Sequence, residues 1–402
     1  MIKFLIVEQD LRISGTSQGV ISRSFLGKLR TSYPDAIIDV VYIKTYERED
    51  QLNLLPVNDI QSHLINIKIP FFLKFINRFY WRFYNVSLND VYIEKQFGKV
   101  IKTIDYEKYD HIFLRSAGLN HEILLGAKNL PILKNAIINF HEPYPEFWCS
   151  GGKAKLTNLQ LFKHKSMFEV VCQAKTCMAT ETLANDLQYL YGTRKKFYYL
   201  PHQYDEKVFD FSDNDYVVKK TKKINISYHG AIQFGRNIEI LLDVYQELVT
   251  ENCDVKENTE FILRMKGIDI ERLKLKYANT PNIIFLDLLN FANSSNEQIH
   301  ETDIPIILEN GPIYCNIQVG KAAFLAAIKN PILILSPERS ELRKLVSNRK
   351  FITDCTNKTE IKQKLENLIK ERLISHEDVF PFGDYFSDEN FKIMLDKVLI
   401  DN

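Results

Sequence analysis

Residues 139–148, NFHEPYPEFW, place a histidine, a glutamate and aromatic rings just beyond an apolar run, AIIN, where two prolines forbid further strand pairing. A histidine in that position titrates near neutral pH and can act as a general base. A carboxylate can take a proton or bind hydroxyl groups, and aromatic faces can stack on a ligand's ring. His141 and Glu142 are therefore the first candidates for chemistry, with Arg115, His121 and His229 behind them. A second group of residues is suited to holding an anion. In HGAIQFGRN, Gly230 and Gly235 frame a turn that opens a helix, with Arg236 at its start; in ENGPIYCNIQVGK, Glu309 and Gly311 follow a strand and precede a helix bearing Lys321. Backbone N–H groups at a helix start plus one or two cations are what a diphosphate needs. Lys266, in RMKG, ends a strand on the edge where α/β proteins bind ligands. Each of these residues also has a purely structural reading: a glycine that supplies positive φ, a loop cap, a solvated charge.

A third feature is IPFFLKFINRFYWRFYNV, residues 69–86. Lys74, Arg78 and Arg82 recur every four residues and so share one helical face, among Phe71, Phe72, Phe75, Phe79, Tyr80 and Trp81. Such a helix can lie on an anionic membrane surface or grip a lipid-diphosphate acceptor. A buried helix with its cations lining a cleft accounts for the same residues.

The elements that must position these residues alternate short apolar runs with amphipathic segments, the sequence form of parallel βα repeats. In the first half, strands are predicted at 3–7, 37–43, 111–115, 136–140, 170–174 and 196–201, with helices at 19–33 and 180–192. Residues 204–223 are highly charged with few aliphatics, as a solvated linker would be; the βα rhythm then restarts with INISYHG at 224–230. The chain has 402 residues, 45% of them hydrophobic, enough for two domains of ordinary size. Its net charge of +1 provides no global field to recruit nucleic acid. The six cysteines form no CxxC pair or His/Cys ligand spacing, which argues against a zinc site or disulfide framework and suits a reducing cytoplasm. MIKFLIVEQD reaches Glu8 and Asp10 too soon for a signal segment, so a cytoplasmic chain is expected.

Across 224–345 the ordered motifs resemble the donor domain of GT-B glycosyltransferases. ISYHGAIQFGRNIEILLDVYQEL is similar to that family's strand, glycine loop and helix; EFILRMKG, NIIFLDLL and ETDIPIILENG follow in its order; GKAAFLAAIKNPILIL is similar to its Lys…Tyr-Leu-Ala-Ala-Gly-Lys-Pro-Val segment. YYLPHQYDEKVF, 198–209, resembles the crossover between the family's domains, and SGTSQG, 14–19, stands where its first glycine-rich loop lies.

The resemblance implies an α/β protein of two Rossmann-like domains facing across a cleft: an acceptor domain at 1–203, a linker at 204–223, a donor domain at 224–375 and a segment at 376–402 that packs back toward the first domain. It implies hexosyl transfer from a nucleotide sugar to a glycan or lipid-linked glycan, in bacterial surface polysaccharide or glycoprotein assembly. Membrane contact, if any, would be peripheral, at the inner face. His141 and Glu142 fall on the acceptor side, and Gly230, Arg236, Lys266, Glu309, Gly311 and Lys321 on the donor side. No metal or other cofactor is expected, because cations can neutralise the leaving diphosphate and no Asp-x-Asp signature is present. One departure matters. Retaining members carry Glu, seven residues, then Glu; Glu309 fits the first, but Ile317 stands at the second, and a register anchored on Leu-Ala-Ala puts Ala323 or Phe324 there. Retention against inversion stays open. So do a non-catalytic GT-B module that binds a glycan or a partner, and a sugar-nucleotide epimerase of the same fold.

Overall fold

Lys3–Glu8, KFLIVE, is apolar on both faces, as a strand must be when helices cover both sides of a parallel sheet. It is β1 of a sheet completed by β2 (Ile37–Lys44), β3 (Asp59–Leu64), β4 (His111–Arg115), β5 (Ala136–Asn139), β6 (Thr176–Ala179) and β7 (Phe197–Tyr199). The order is β3-β2-β1-β4-β5-β6-β7 and every neighbouring pair is parallel. The structure is a computed structural model that describes residues 1–13, 15–48, 50–192 and 195–400. Ser14, the first residue of SGTSQG, lies outside the described residues.

The second half contains β8 (Ile224–Ala231), β9 (Thr259–Lys266), β10 (Ile283–Leu286), β11 (Ile304–Leu308), β12 (Tyr314–Cys315), β13 (Leu333–Ser336), β14 (Arg339–Ser340) and β15 (Ile352–Asp354). β12 and β14 pair with each other, and the remaining strands form a second parallel sheet in the order β10-β9-β8-β11-β13-β15. The chain divides into two compact units, Met1–Val208 with Ser387–Asn402, and Phe209–Phe386. Each is an α/β layer structure with its own core.

Three expectations change. Residues 170–174 are not a strand: Val170 and Val171 continue the buried face of Met167 in the helix Asn158–Gln173, and the strand begins at Thr176. The edge strand β3, DIQSHL, is mostly exposed and has no apolar run to announce it. The charged stretch 204–223 is not free chain beyond Phe209. The N–H groups of Tyr216, Val218 and Lys220 donate to Asn293, Glu297 and Glu301 at 3.0, 2.9 and 3.0 Å, all within the second unit. At the far end, the helix Asp388–Ile400 belongs to the first unit: Phe391 meets Phe25 edge-on at 6.1 Å, and Asp388 and Asp396 bond Lys28 and Tyr33.

Candidate functional site

Both sheets reverse their winding once, between β1 and β4 in the first unit and between β8 and β11 in the second. Ligands of doubly wound sheets bind outside the carboxyl ends of the strands at such a reversal. In the second unit β8 ends with Gly230 and Ala231, and β11 is followed by Glu309, Asn310 and Gly311. The loops after these strands are fitted to each other. Gly235 has φ of +77°, a Cβ there would lie 2.0 Å from Gly311 O, and Gly311 N–H donates to Phe234 O at 3.2 Å. Arg236 bridges them: its Nε donates to Asn310 Oδ1 at 3.0 Å and its Nη1 to Ala231 O at 3.2 Å.

Lys321 opens the helix Lys321–Ile328 and reaches the same place from another direction. Its ammonium donates to His229 O, sits 4.4 Å from the Tyr228 ring centroid, and lies 3.1 Å from where a Cβ on Gly230 would be. Burial, and then the neighbouring Arg236, push the Lys321 ammonium down to about 7. Two cations therefore meet at the Gly230 edge, and Arg236 disfavours the charged form of Lys321.

Glu309 faces elsewhere. It is 2% exposed, burial pushes its carboxyl up to about 7, Leu342 N–H donates to it at 3.4 Å, and the Ser336 and Ser340 hydroxyls offset part of the burial. Beside it lies a cavity of about 280 Å³, lined by Gly235, Asn237, Ile240, Leu308, Glu309, Pro312, Leu335, Cys355 and Thr356. Lys266 ends β9 on the same edge, exposed, and its carbonyl accepts from Ile232 N–H at 2.7 Å. His229 is held through one nitrogen: Nδ1 is 2.9 Å from Ser294 Oγ, while Nε2 lies 3.5 Å from Glu297, which Arg264 holds through two hydrogen bonds.

In the first unit, His141 follows β5 and is 3% exposed. Its Nε2 pairs with Asn139 Nδ2 at 2.7 Å, and its ring centroid is 5.8 Å from that of His202. Burial, then the charge of Arg115, holds its pKa well below the ordinary histidine value, so the ring is neutral, and the Asn139 amide N–H, which can only donate, points at the Nε2 lone pair. Arg115, at the end of β4, bonds Glu8 at the end of β1 in a buried pair and stacks 4.0 Å from the Phe25 ring centroid. Burial lifts the Glu8 carboxyl above its usual range against the pull of Arg115. Glu142 is half-buried, and its carbonyl accepts from His121 Nε2–H at 3.1 Å; burial lowers His121 to about 4. His141 thus stands in a group with Arg115, Asn139 and His202, while Glu142 lies toward His121.

Asn310, Tyr228, Asn139, His202 and Glu8 are not singled out by the sequence. Asn310, within ENG, reads as a turn residue, and His202 in LPHQYD reads as surface or core; in the fold it is 6% exposed beside His141. Lys74, Arg78 and Arg82 sit on the helix Phe71–Tyr84, which packs against the next helix, Leu88–Ile101.

No protein-family model and no curated protein matches the chain. Solved structures do. A UDP-GlcNAc 2-epimerase from Neisseria meningitidis, solved with UDP-GlcNAc bound, aligns over 100% of both chains with TM-score 0.58 at 13% identity. The lipopolysaccharide outer core galactosyltransferase WaaB aligns over 100% of this chain and 99% of its own, with TM-score 0.57 at 12% identity. An α,α-trehalose 6-phosphate synthase from Burkholderia multivorans does so over 100% and 99%, with TM-score 0.61 at 10% identity. The chain has the GT-B fold. In this GT-B chain the positions where a second glutamate would stand hold Ile317, Ala323 and Phe324, all buried.

Proposed function

We propose that the protein is a glycosyltransferase that moves a hexosyl group from a nucleotide-sugar donor to a glycan or lipid-linked glycan, in surface polysaccharide or glycoprotein assembly. The observation that carries this reading is the convergence of Arg236 and Lys321 on the Gly230 edge, where Arg236 is the charge that acts on the Lys321 ammonium. A diphosphate relieves that repulsion, and the same pair then neutralises the charge that develops on it as it leaves. In the transfer, the bond from the sugar's anomeric carbon to the diphosphate oxygen breaks and the acceptor oxygen bonds to that carbon. The acceptor's proton passes to a base, and His141 is assigned that task, its Nε2 lone pair released by the Asn139 amide as the acceptor binds, with Glu142 orienting the acceptor. The solved neighbours, one holding UDP and one UDP-GlcNAc, support a nucleotide-linked ligand of this class.

The test begins with thermal stabilisation by UDP-, GDP-, dTDP- and CMP-sugars. A diphosphate-linked sugar should stabilise the protein, and CMP-sugars, with a single phosphate, should not. Arg236→Ala should weaken binding by roughly ten- to a hundredfold, the loss of a charge-assisted hydrogen bond. His141→Ala should leave that affinity unchanged while transfer falls by ~10²-fold. An epimerase is the second reading, because neighbours of that name share the fold. It would be recognised by inversion of a donor carbon with no acceptor present, followed by NMR. Stabilisation without either reaction would leave a binding module.

A further inference from the structure

The helix Phe71–Tyr84 is folded with its apolar side outward. Among its fourteen residues only Asn77 is buried, and its side chain accepts from Leu88 N–H at 2.7 Å, at the start of the next helix. The side opposite Asn77 carries Phe72, Phe75, Ile76, Phe79 and Phe83, which are 66, 56, 40, 54 and 69% exposed. Their spacing is that of the stripe a soluble helix turns into its core. Lys74, Arg78 and Arg82 form a column along one flank of this stripe, and the helix FFLKFINRFYWRFY contains no acidic residue. Trp81 and Tyr84, 57 and 68% exposed, lie on the Asn77 side of the helix, away from the stripe.

We propose that this helix lies in the surface of an anionic membrane, its phenylalanine stripe inserted among the acyl chains and its cationic column against lipid phosphates. A helix of this length spans about 21 Å, against roughly 30 Å for a hydrocarbon core, so it lies on the bilayer and does not cross it. No helix among the described residues is long and apolar enough to cross a membrane. Charge decides the occupant. A second copy of the same helix would bring a like-charged column to the interface with no carboxylate on either helix to offset it, whereas an anionic lipid surface complements the column and the stripe together. The inference does not depend on which reaction the protein catalyses.

The experiment uses the full chain and phosphatidylcholine vesicles with and without phosphatidylglycerol. The sequence has two tryptophans, Trp81 and Trp148, so Phe79→Trp in a chain that also carries Trp81→Phe and Trp148→Phe puts a single reporter in the stripe. Anionic vesicles should carry the protein on flotation and shift the emission of that single tryptophan to the blue, and high salt should weaken the binding. Replacing Lys74, Arg78 and Arg82 together by glutamine should weaken it by on the order of a hundredfold at low salt. Phe72→Ser with Phe75→Ser, made in the single-tryptophan chain, should abolish the blue shift; because both residues are exposed, circular dichroism should stay that of the unsubstituted helix. Absence of wild-type binding to anionic vesicles overturns the proposal. So does a concentration-dependent dimer that the two serine substitutions dissolve while vesicle binding is absent, because the stripe then meets a second copy. Binding that is indifferent to phosphatidylglycerol and to the three glutamines overturns the role of the cationic column.

Discussion

At the scale of single residues, the chemistry most open to test is the proton on Lys321. Its free-state pKa is near 7 because the ammonium is buried and Arg236 is beside it, and a bound diphosphate would raise it again. A nucleotide sugar's diphosphate is doubly esterified and stays fully ionised around neutral pH, so the titration seen on binding is the protein's. The cation must be protonated in the complex, and above about pH 7 the free lysine is not. Donor affinity should therefore be greatest at and below pH 7 and decline above it, by up to about tenfold per pH unit until the pKa of the complex is reached. Calorimetry at about pH 8 in two buffers of different ionisation enthalpy should detect uptake of up to one proton. Lys321→Gln should flatten the profile; affinity in the wild type that is level from about pH 6.5 to 8.5 would remove Lys321 from the site. The lysine was legible from its place after the glycine loop. Its depressed pKa was not, because that depends first on burial by the folded loops and then on Arg236, which arrives from 85 residues earlier in the sequence, a separation only the sheet closes.

At the scale of elements, the meeting of the loops after β8 and β11 depends on one missing side chain. Gly235→Ala would both force a residue with Cβ to φ of +77° and drive that Cβ into Gly311 O, 2.0 Å away, so the loops must separate. Gly383 is the matched control, with φ of +53° and no atom within 4 Å of where a Cβ would stand. Gly383→Ala should cost only about 1–2 kcal/mol of stability from backbone strain and leave donor affinity alone. Gly235→Ala should cost more and also weaken nucleotide-sugar binding by about tenfold or more, as read by titration; equal donor affinity in the two variants would show that loop contact does not shape the site. Much of this architecture could be read in advance, because buried parallel strands such as KFLIVE and AIIN announce themselves as unbroken apolar runs. What escaped was whatever lacked that signature. β3 is an exposed edge, and Val170 and Val171, strand-like in composition, complete a helix whose buried face begins earlier. The helix Phe71–Tyr84 was visible by period, but periodicity reports which residues share a face and not which way that face points.

At the scale of the whole molecule, the chain makes two cores and returns to the first after completing the second. Phe391, Leu395 and Val398 of the last helix are 2, 0 and 0% exposed and pack within the first unit, where Phe391 meets Phe25. Truncating a buried phenylalanine typically costs about 3–5 kcal/mol, through lost burial and the cavity it leaves. Phe391→Ala should therefore destabilise the first unit although the residue follows Phe209–Phe386 in sequence. The protein carries its own reporter for this. Trp81 and Trp148 both lie in the first unit, so the tryptophan fluorescence transition follows that unit alone, whereas stabilisation by a nucleotide sugar, measured by calorimetry, follows the unit that holds Arg236 and Lys321. Two separate cores predict that Phe391→Ala lowers the tryptophan transition by several degrees and leaves the ligand-stabilised transition in place. If the two transitions instead fall together by the same amount, the units unfold as one body, and the last helix supports the donor site as much as the sheet it packs on.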